Sequence, residues 1–176
     1  MKENAEKEKI ALVTGASKGI GKAITLKLAS MGIKVAINYN SSKDDAKETA
    51  DKIIANGGSA IILKADVSNY DEVQEIIKEV DSTWGPIDIL VNNAGIISDN
   101  LLVRMSIEEW TKVINTNLNG TFYCTKSVLR NMLKNRWGRI INIGSVVGLR
   151  GNIGQTNYAA SKAAIIGFTK ALAKEV

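Results

Sequence analysis

Short apolar runs rich in β-branched residues alternate along this chain with longer stretches in which apolar positions recur every three or four residues. The runs fall at 10–14, 33–38, 60–64, 87–91 and 139–143. They are nearly continuous in hydrophobicity, as expected of parallel strands covered on both faces. The stretches between and after them predict helices at about 19–31, 43–56, 69–83, 106–134 and 157–175. Five βα repeats joined by right-handed crossovers give an α/β fold, a doubly wound parallel sheet of Rossmann type, with its ligand crevice beyond the carboxyl ends of the strands. Local signals agree. Gly57-Gly58 stops the second helix, Ser68 and Ser106 are N-cap candidates, and Gly85-Pro86 punctuates the entry to the fourth strand.

Composition narrows the chemistry. With 176 residues, 45% of them hydrophobic, the chain closes one sizeable core. We therefore expect a flexible, charged tail at 1–9 and a single dinucleotide-binding domain at 10–176. The absence of histidine and the presence of a single cysteine exclude a Ser-His-Asp triad, a histidine base, a Cys-rich zinc site and an internal disulfide. Cys124, in an apolar helical stretch, reads as a small buried side chain. The net charge of +5 is spread among acidic residues, which argues against a nucleic-acid partner and suits an anionic ligand or an acidic protein. No apolar leader opens the chain and no segment approaches a membrane span, so a soluble, cytoplasmic protein is expected.

The first strand runs into Thr14-Gly-Ala-Ser-Lys-Gly-Ile-Gly21, placing glycines at the turn and at the start of the first helix. Backbone can approach a pyrophosphate there, and the helix N-terminus offers free amides and the positive end of its dipole. At the end of the second strand an acidic residue would grip the ribose of NAD and repel the extra phosphate of NADP. Here the sequence is Asn38-Tyr-Asn-Ser-Ser42, with Lys18 in the nearby turn; this combination predicts NADP(H).

Near the end of the chain stands Tyr158-Ala-Ala-Ser-Lys162, with Ser145 upstream. A phenol and an ammonium at i and i+4 share one helical face, roughly 6 Å apart along the axis, so the cation favours the phenolate and makes the tyrosine a usable acid. Ser145 adds a hydroxyl for a carbonyl oxygen. Considered alone, such a pair also decorates ordinary surface helices.

Together, TGASKGIG, NNAG at 92–95, Ser145 and YAASK at 158–162 resemble the short-chain dehydrogenase/reductases. DILVNNAGI, GRIINIGSVVG and GQTNYAASKA resemble in particular the members that reduce 3-oxoacyl groups on acyl carrier protein in fatty-acid biosynthesis, and the similarity spans residues 9–176. The resemblance implies Tyr158 as proton donor, Lys162 on the nicotinamide ribose, Ser145 positioning the carbonyl, and Asn117 holding a water in a proton relay. It places Gly15, Ala16, Ser17, Lys18, Gly19, Ile20, Gly21 and Asn40 around the phosphates, Asp66 and Val67 at the adenine, and Asn93, Ala94 and Gly95 at the middle of NADP(H). It also implies a (3R)-hydroxyacyl product, a homo-oligomer, tetrameric in the family, and no metal. Lys134, Arg136 and Arg139 read either as a dock for the acidic carrier or as solvated charges after a helix. Family members continue well beyond this length, through two more strands and a substrate lid. A fragment or truncated relative is therefore expected, and with it a second reading as an NADP-binding module of little turnover, completed by another segment or chain.

Overall fold

The computed structural model describes residues 8–176; most of the expected tail, 1–7, lies outside the described residues. Five strands form one sheet: β1 (Ile10–Val13), β2 (Lys34–Tyr39), β3 (Ala60–Lys64), β4 (Ile89–Asn92) and β5 (Arg139–Asn142). Their spatial order is β3-β2-β1-β4-β5, and all four pairings are parallel. The order reverses direction at β1 and β4, so the carboxyl ends of these two strands form the switch point where doubly wound sheets bind ligands.

Side-chain alternation divides the core into two layers. From β1, Ile10 and Leu12 join Leu63, Leu90, Cys124 and Val128 on one face, while Ala11 and Val13 join Val35, Ile37, Ile53 and Val91 on the other. The first layer is covered by α3 (Tyr70–Thr83) and α5 (Gly120–Lys134), the second by α1 (Gly19–Ser30) and α2 (Lys43–Ala55). Each fully buried Ile, Leu or Val contributes about 1.5–3 kcal/mol, which explains why both faces of these strands are apolar. Cys124 is fully buried, and desolvation pushes its thiol up to about 12. It is a packing residue.

Two expected features differ. Helix α3 is capped by Asn69, whose side chain accepts from the Asp71 and Glu72 amides; Ser68 instead donates to Asp66. The single helix expected over 106–134 is three pieces: α4 (Ile107–Ile114), a π-helical turn (Asn115–Asn119) and α5. The sequence there, Asn-Thr-Asn-Leu-Asn-Gly, is poor in strong helix formers, and Asn117 is held from outside the helix, as described below. Ser106 does cap α4, in a reciprocal capping box with Glu109. A short helix, α6 (Val147–Arg150), precedes α7 (Thr156–Glu175).

Among the described residues β5 pairs with β4 alone. Its other edge borders a groove of about 530 Å³ lined by Leu129, Met132, Leu133, Ile140 and Leu172, and Ile141 remains 46% exposed. An open strand edge beside apolar surface templates association. We predict that the 176-residue chain associates with rising concentration and that Ile141→Lys suppresses this. Sedimentation velocity over a concentration series tests the prediction; unchanged association in the variant would refute it.

Candidate active site

Three polar side chains stitch the strand ends together. At the end of β1, the Thr14 hydroxyl donates to Val91 O (3.3 Å) and accepts from the amides of Asn93 and Ala94 (3.0 Å each). The Asn93 side chain donates to the carbonyls of Thr14 and Gly15, both at 2.9 Å. Asn38 is almost fully buried; it accepts from the Gly15 amide (3.2 Å) and donates to Ala65 O (3.0 Å). Asn38 therefore supports the turn from beneath, and the positions free to read a ribose or phosphate narrow to Asn40, Ser41 and Ser42.

This frame shapes a groove of about 420 Å³ across the switch point. Its lining includes Gly15, Ser17, Lys18, Gly19, Ile20, Gly21, Asn40, Asp66, Val67, Asn93, Ala94 and Gly95, all singled out in the sequence. Ala16 lies beneath it in the core, and the side chain of Val67 packs in the opposite layer. The Asp66 carboxylate accepts from the Ser68 amide and hydroxyl and from Asn40 Nδ2. Burial alone would raise this carboxyl, but the bonds from Ser68 and Asn40 outweigh it and hold the group below its usual range.

The cradle fits a dinucleotide phosphate on its own geometry. A Cβ on Gly15 would stand 2.8 Å from Ala94 Cα, and one on Gly21 2.5 Å from Asn93 Nδ2 and 2.6 Å from Gly15 O. No side chain can enter between turn and helix, so backbone lies at the surface where a pyrophosphate would sit. Helices α3 and α4 begin with capping side chains and acidic first turns; α1 has neither. Its first-turn amides are thus left for an anion.

On the other side of the switch point, α7 carries Tyr158 and Lys162. Lys162 is 95% buried by side-chain surroundings, being only 5% exposed. Its Nζ donates to Ile143 O (2.7 Å) and lies 5.7 Å from the Tyr158 ring centroid. Desolvation lowers its pKa. Ser145 begins the turn into α6, accepting from the Val147 amide at 3.2 Å. Helix α6 then packs so closely on α7 that a Cβ on Gly148 would lie 2.7 Å from Lys162 C. Ser145 thus lies between two residues that approach Lys162, Ile143 through its carbonyl and Gly148 through its backbone.

Asn117 is fully buried in the π-helical turn. Its side chain accepts from the Ile96 amide (2.8 Å) and donates to Ile96 O and Ser161 Oγ (3.1 Å each). Ser161 in turn donates to Tyr158 O (2.8 Å). Asn117 thus braces the loop after β4 against α7. Its own carbonyl accepts from the Thr121 hydroxyl at 2.7 Å.

Sequence reasoning missed several positioning residues. Asn157, fully buried, donates to Ser98 O (2.9 Å) and accepts from the Tyr158 amide (2.7 Å), while Gln155 donates to both oxygens of Asp99. These bonds tie the start of α7 to the loop after β4. The only sequence signal was their place just before Tyr158, on a polar run that reads equally as an ordinary helix start. Thr116 also lines the groove. The basic cluster of Lys134, Arg136 and Arg139 lies at the amino end of β5, whereas Ser145 follows its carboxyl end. Exposed Arg104 and Arg150, by contrast, lie in the segments that follow the carboxyl ends of β4 and β5.

A doubly wound parallel sheet with a glycine cradle and a Tyr-Lys pair across its switch point defines a dinucleotide-binding oxidoreductase fold. The short chain dehydrogenase profile matches residues 9–176, and the chain belongs to that family. It is 56% identical over 167 residues to a 3-oxoacyl-[acyl-carrier-protein] reductase of Synechocystis sp., covering 95% of this chain and 68% of that relative. It is 53% identical to the 3-oxoacyl-[acyl-carrier-protein] reductase FabG of Staphylococcus epidermidis, with 96% and 69% of the two chains covered. The FabG of Staphylococcus aureus is 52% identical, with 96% and 68% covered.

The closeness of the cradle yields a prediction. Gly21→Ala should destabilise the fold by about 1–3 kcal/mol, as overpacking does, and should weaken dinucleotide binding further by forcing Gly15 and Asn93 apart. Chemical denaturation and calorimetric titration measure the two effects. A variant with wild-type stability and affinity would show that the turn has room for the methyl group.

Proposed function

We propose that this chain provides the catalytic and cofactor-binding core of an NADPH-dependent reductase, acting on 3-oxoacyl groups carried by acyl carrier protein to form the (3R)-3-hydroxyacyl product in cytoplasmic fatty-acid biosynthesis. The observation that carries the proposal is the buried Lys162 ammonium beside Tyr158, at the far side of a glycine-walled groove from Lys18. The names of the relatives support the substrate and its carrier. A homo-oligomer follows the family pattern. The exposed Arg104 and Arg150 suit an acidic carrier approaching at the carboxyl ends of the strands.

Bound NADPH would supply a hydride to the carbonyl carbon. As charge gathers on the carbonyl oxygen, the Ser145 hydroxyl donates a hydrogen bond to it and the Tyr158 hydroxyl gives up its proton. Lys162 balances the resulting phenolate. Its buried ammonium, fixed by Ile143 O, acts at short range where water screens it poorly. Asn117 and Ser161 hold the Tyr158 backbone against the loop after β4, so the proton donor keeps its orientation relative to the groove. At the adenosine end, Lys18 with Asn40, Ser41 and Ser42 receives the ribose phosphate that distinguishes NADPH from NADH.

The second reading, a cofactor-binding module of little turnover, is favoured by the exposure of the substrate side: Val146, Leu149 and Ile153 all stand well out in solvent. An open site misplaces reacting groups, and about 1 Å of misplacement costs on the order of a hundredfold. NADPH oxidation with acetoacetyl-CoA decides between the readings: measurable turnover supports the reductase, and cofactor binding without turnover supports the module.

Tyr158→Phe should lower turnover by about 10²–10⁴-fold, the usual contribution of a positioned acid, with NADPH affinity close to wild type. If most of the turnover survives, Tyr158 is not the donor. At the other end of the groove, NADPH should bind more tightly than NADH, and Lys18→Glu should weaken NADPH far more than NADH. Equal affinities in calorimetric titration would contradict the NADP(H) assignment.

A further inference from the structure

The cation assigned to the ribose phosphate already has a partner. Lys18 Nζ lies 3.0 Å from Asp45 Oδ2. Asp45 sits in the first turn of α2, directly after the Ser41-Ser42 segment that lines the groove. We propose that Asp45 is a specificity-tuning residue that competes with the 2′-phosphate of the cofactor for Lys18. The inference rests on the NADP(H) reading given above and adds to it a residue that weakens the preference.

A 2′-phosphate that engages Lys18 must draw the ammonium from Asp45 or share it. In either case a dianion comes to rest near an ionised carboxylate, and like charges at short range repel. A nucleotide without that phosphate meets neither penalty. The side chains of Lys18 and Asp45 are 67% and 40% exposed, so water screens the competition and its effect is modest. Asp45 thereby sets the ratio of NADPH to NADH affinity with little influence on nucleotide binding in general.

The alternative is that the pair only ties α1 to α2. A second pair of that kind, Lys22 with Glu48 at 3.4 Å, joins the same helices about one turn farther on, and neither residue lines the groove. Glu48 is therefore the control. Its carboxyl is held below the usual range by hydrogen bonding to Lys52 and the charges of Lys22 and Lys52, so substituting it removes a charge from a second inter-helix pair.

The test is calorimetric titration of the 176-residue chain with adenosine 2′,5′-bisphosphate and adenosine 5′-monophosphate, repeated with NADPH and NADH. Asp45→Asn should tighten the two 2′-phosphorylated ligands by about two- to fivefold, the scale of an exposed ion pair, and leave the other two unchanged. Glu48→Gln should alter none of the four. In a Lys18→Ala background the gain from Asp45→Asn should shrink to what direct repulsion between Asp45 and the phosphate contributes. An unchanged affinity for the bisphosphate, an equal gain for the monophosphate, or a full gain without Lys18 would each overturn the competition, even where the wild-type protein prefers the 2′-phosphorylated ligands. If the wild-type protein binds bisphosphate and monophosphate equally and Lys18→Ala changes neither, the NADP(H) reading fails as well.

Discussion

Leu12 on one face of β1 and Val13 on the other are both fully buried, and a strand covered in this way has no side on which to present a polar group to solvent. Polar chemistry is confined to the strand ends. Because all the strands are parallel, their carboxyl ends share one rim, and the side chains there must satisfy one another or a ligand. Thr14, Asn38 and Asn93 do the former, holding three strand ends in fixed relation. The glycine turn, Asp66 and the start of α7 are suspended from that lattice. A change in the packing of β1 would therefore reach the cradle directly, although no core residue touches a ligand.

The fold and the line of the groove were legible because their signals are redundant. Five apolar runs, five amphipathic stretches and a glycine-rich turn each imply the same sheet, and any one of them constrains the others. The end of β2 was only partly legible: Asn38 and Asn40 look alike in sequence, yet the first lies within the strand, buried under the turn, and the second lies past the strand's end, exposed at the groove. The division of the helix over 106–134 was not legible. Hydrophobic spacing continues through Asn115–Asn119, and what opens the turn is a tertiary contact, the grip of Ile96 and Ser161 on Asn117. Lys18 lines the groove, but its pairing with Asp45 is a contact between two helices that no local pattern reports.

Neutral groups carry most of the cradle, and this has an electrostatic logic. Amides, asparagines and hydroxyls line the path where the cofactor phosphates would lie, and the charged residues stand at its two ends. Lys162 is buried and desolvated at one end, where water screens a charge poorly. Lys18 is largely solvated at the other, where water and salt screen its charge. Burial thus places two chemically identical side chains in different electrostatic surroundings.

The π-helical turn also acts as a phase shifter. In an unbroken α-helix, Val113 and Cys124, roughly three turns apart, would point in nearly the same direction. The wider turn between them rotates one segment against the other by most of a quarter revolution. One continuous stretch of chain can then press Val113 inward beside α7 while Cys124 and Val128 face α3 and the sheet. Losing a single residue from Asn115–Asn119 would restore the ordinary winding and force a choice between these two faces, so the spacing of this segment is as tightly fixed as the identity of the residues that flank it.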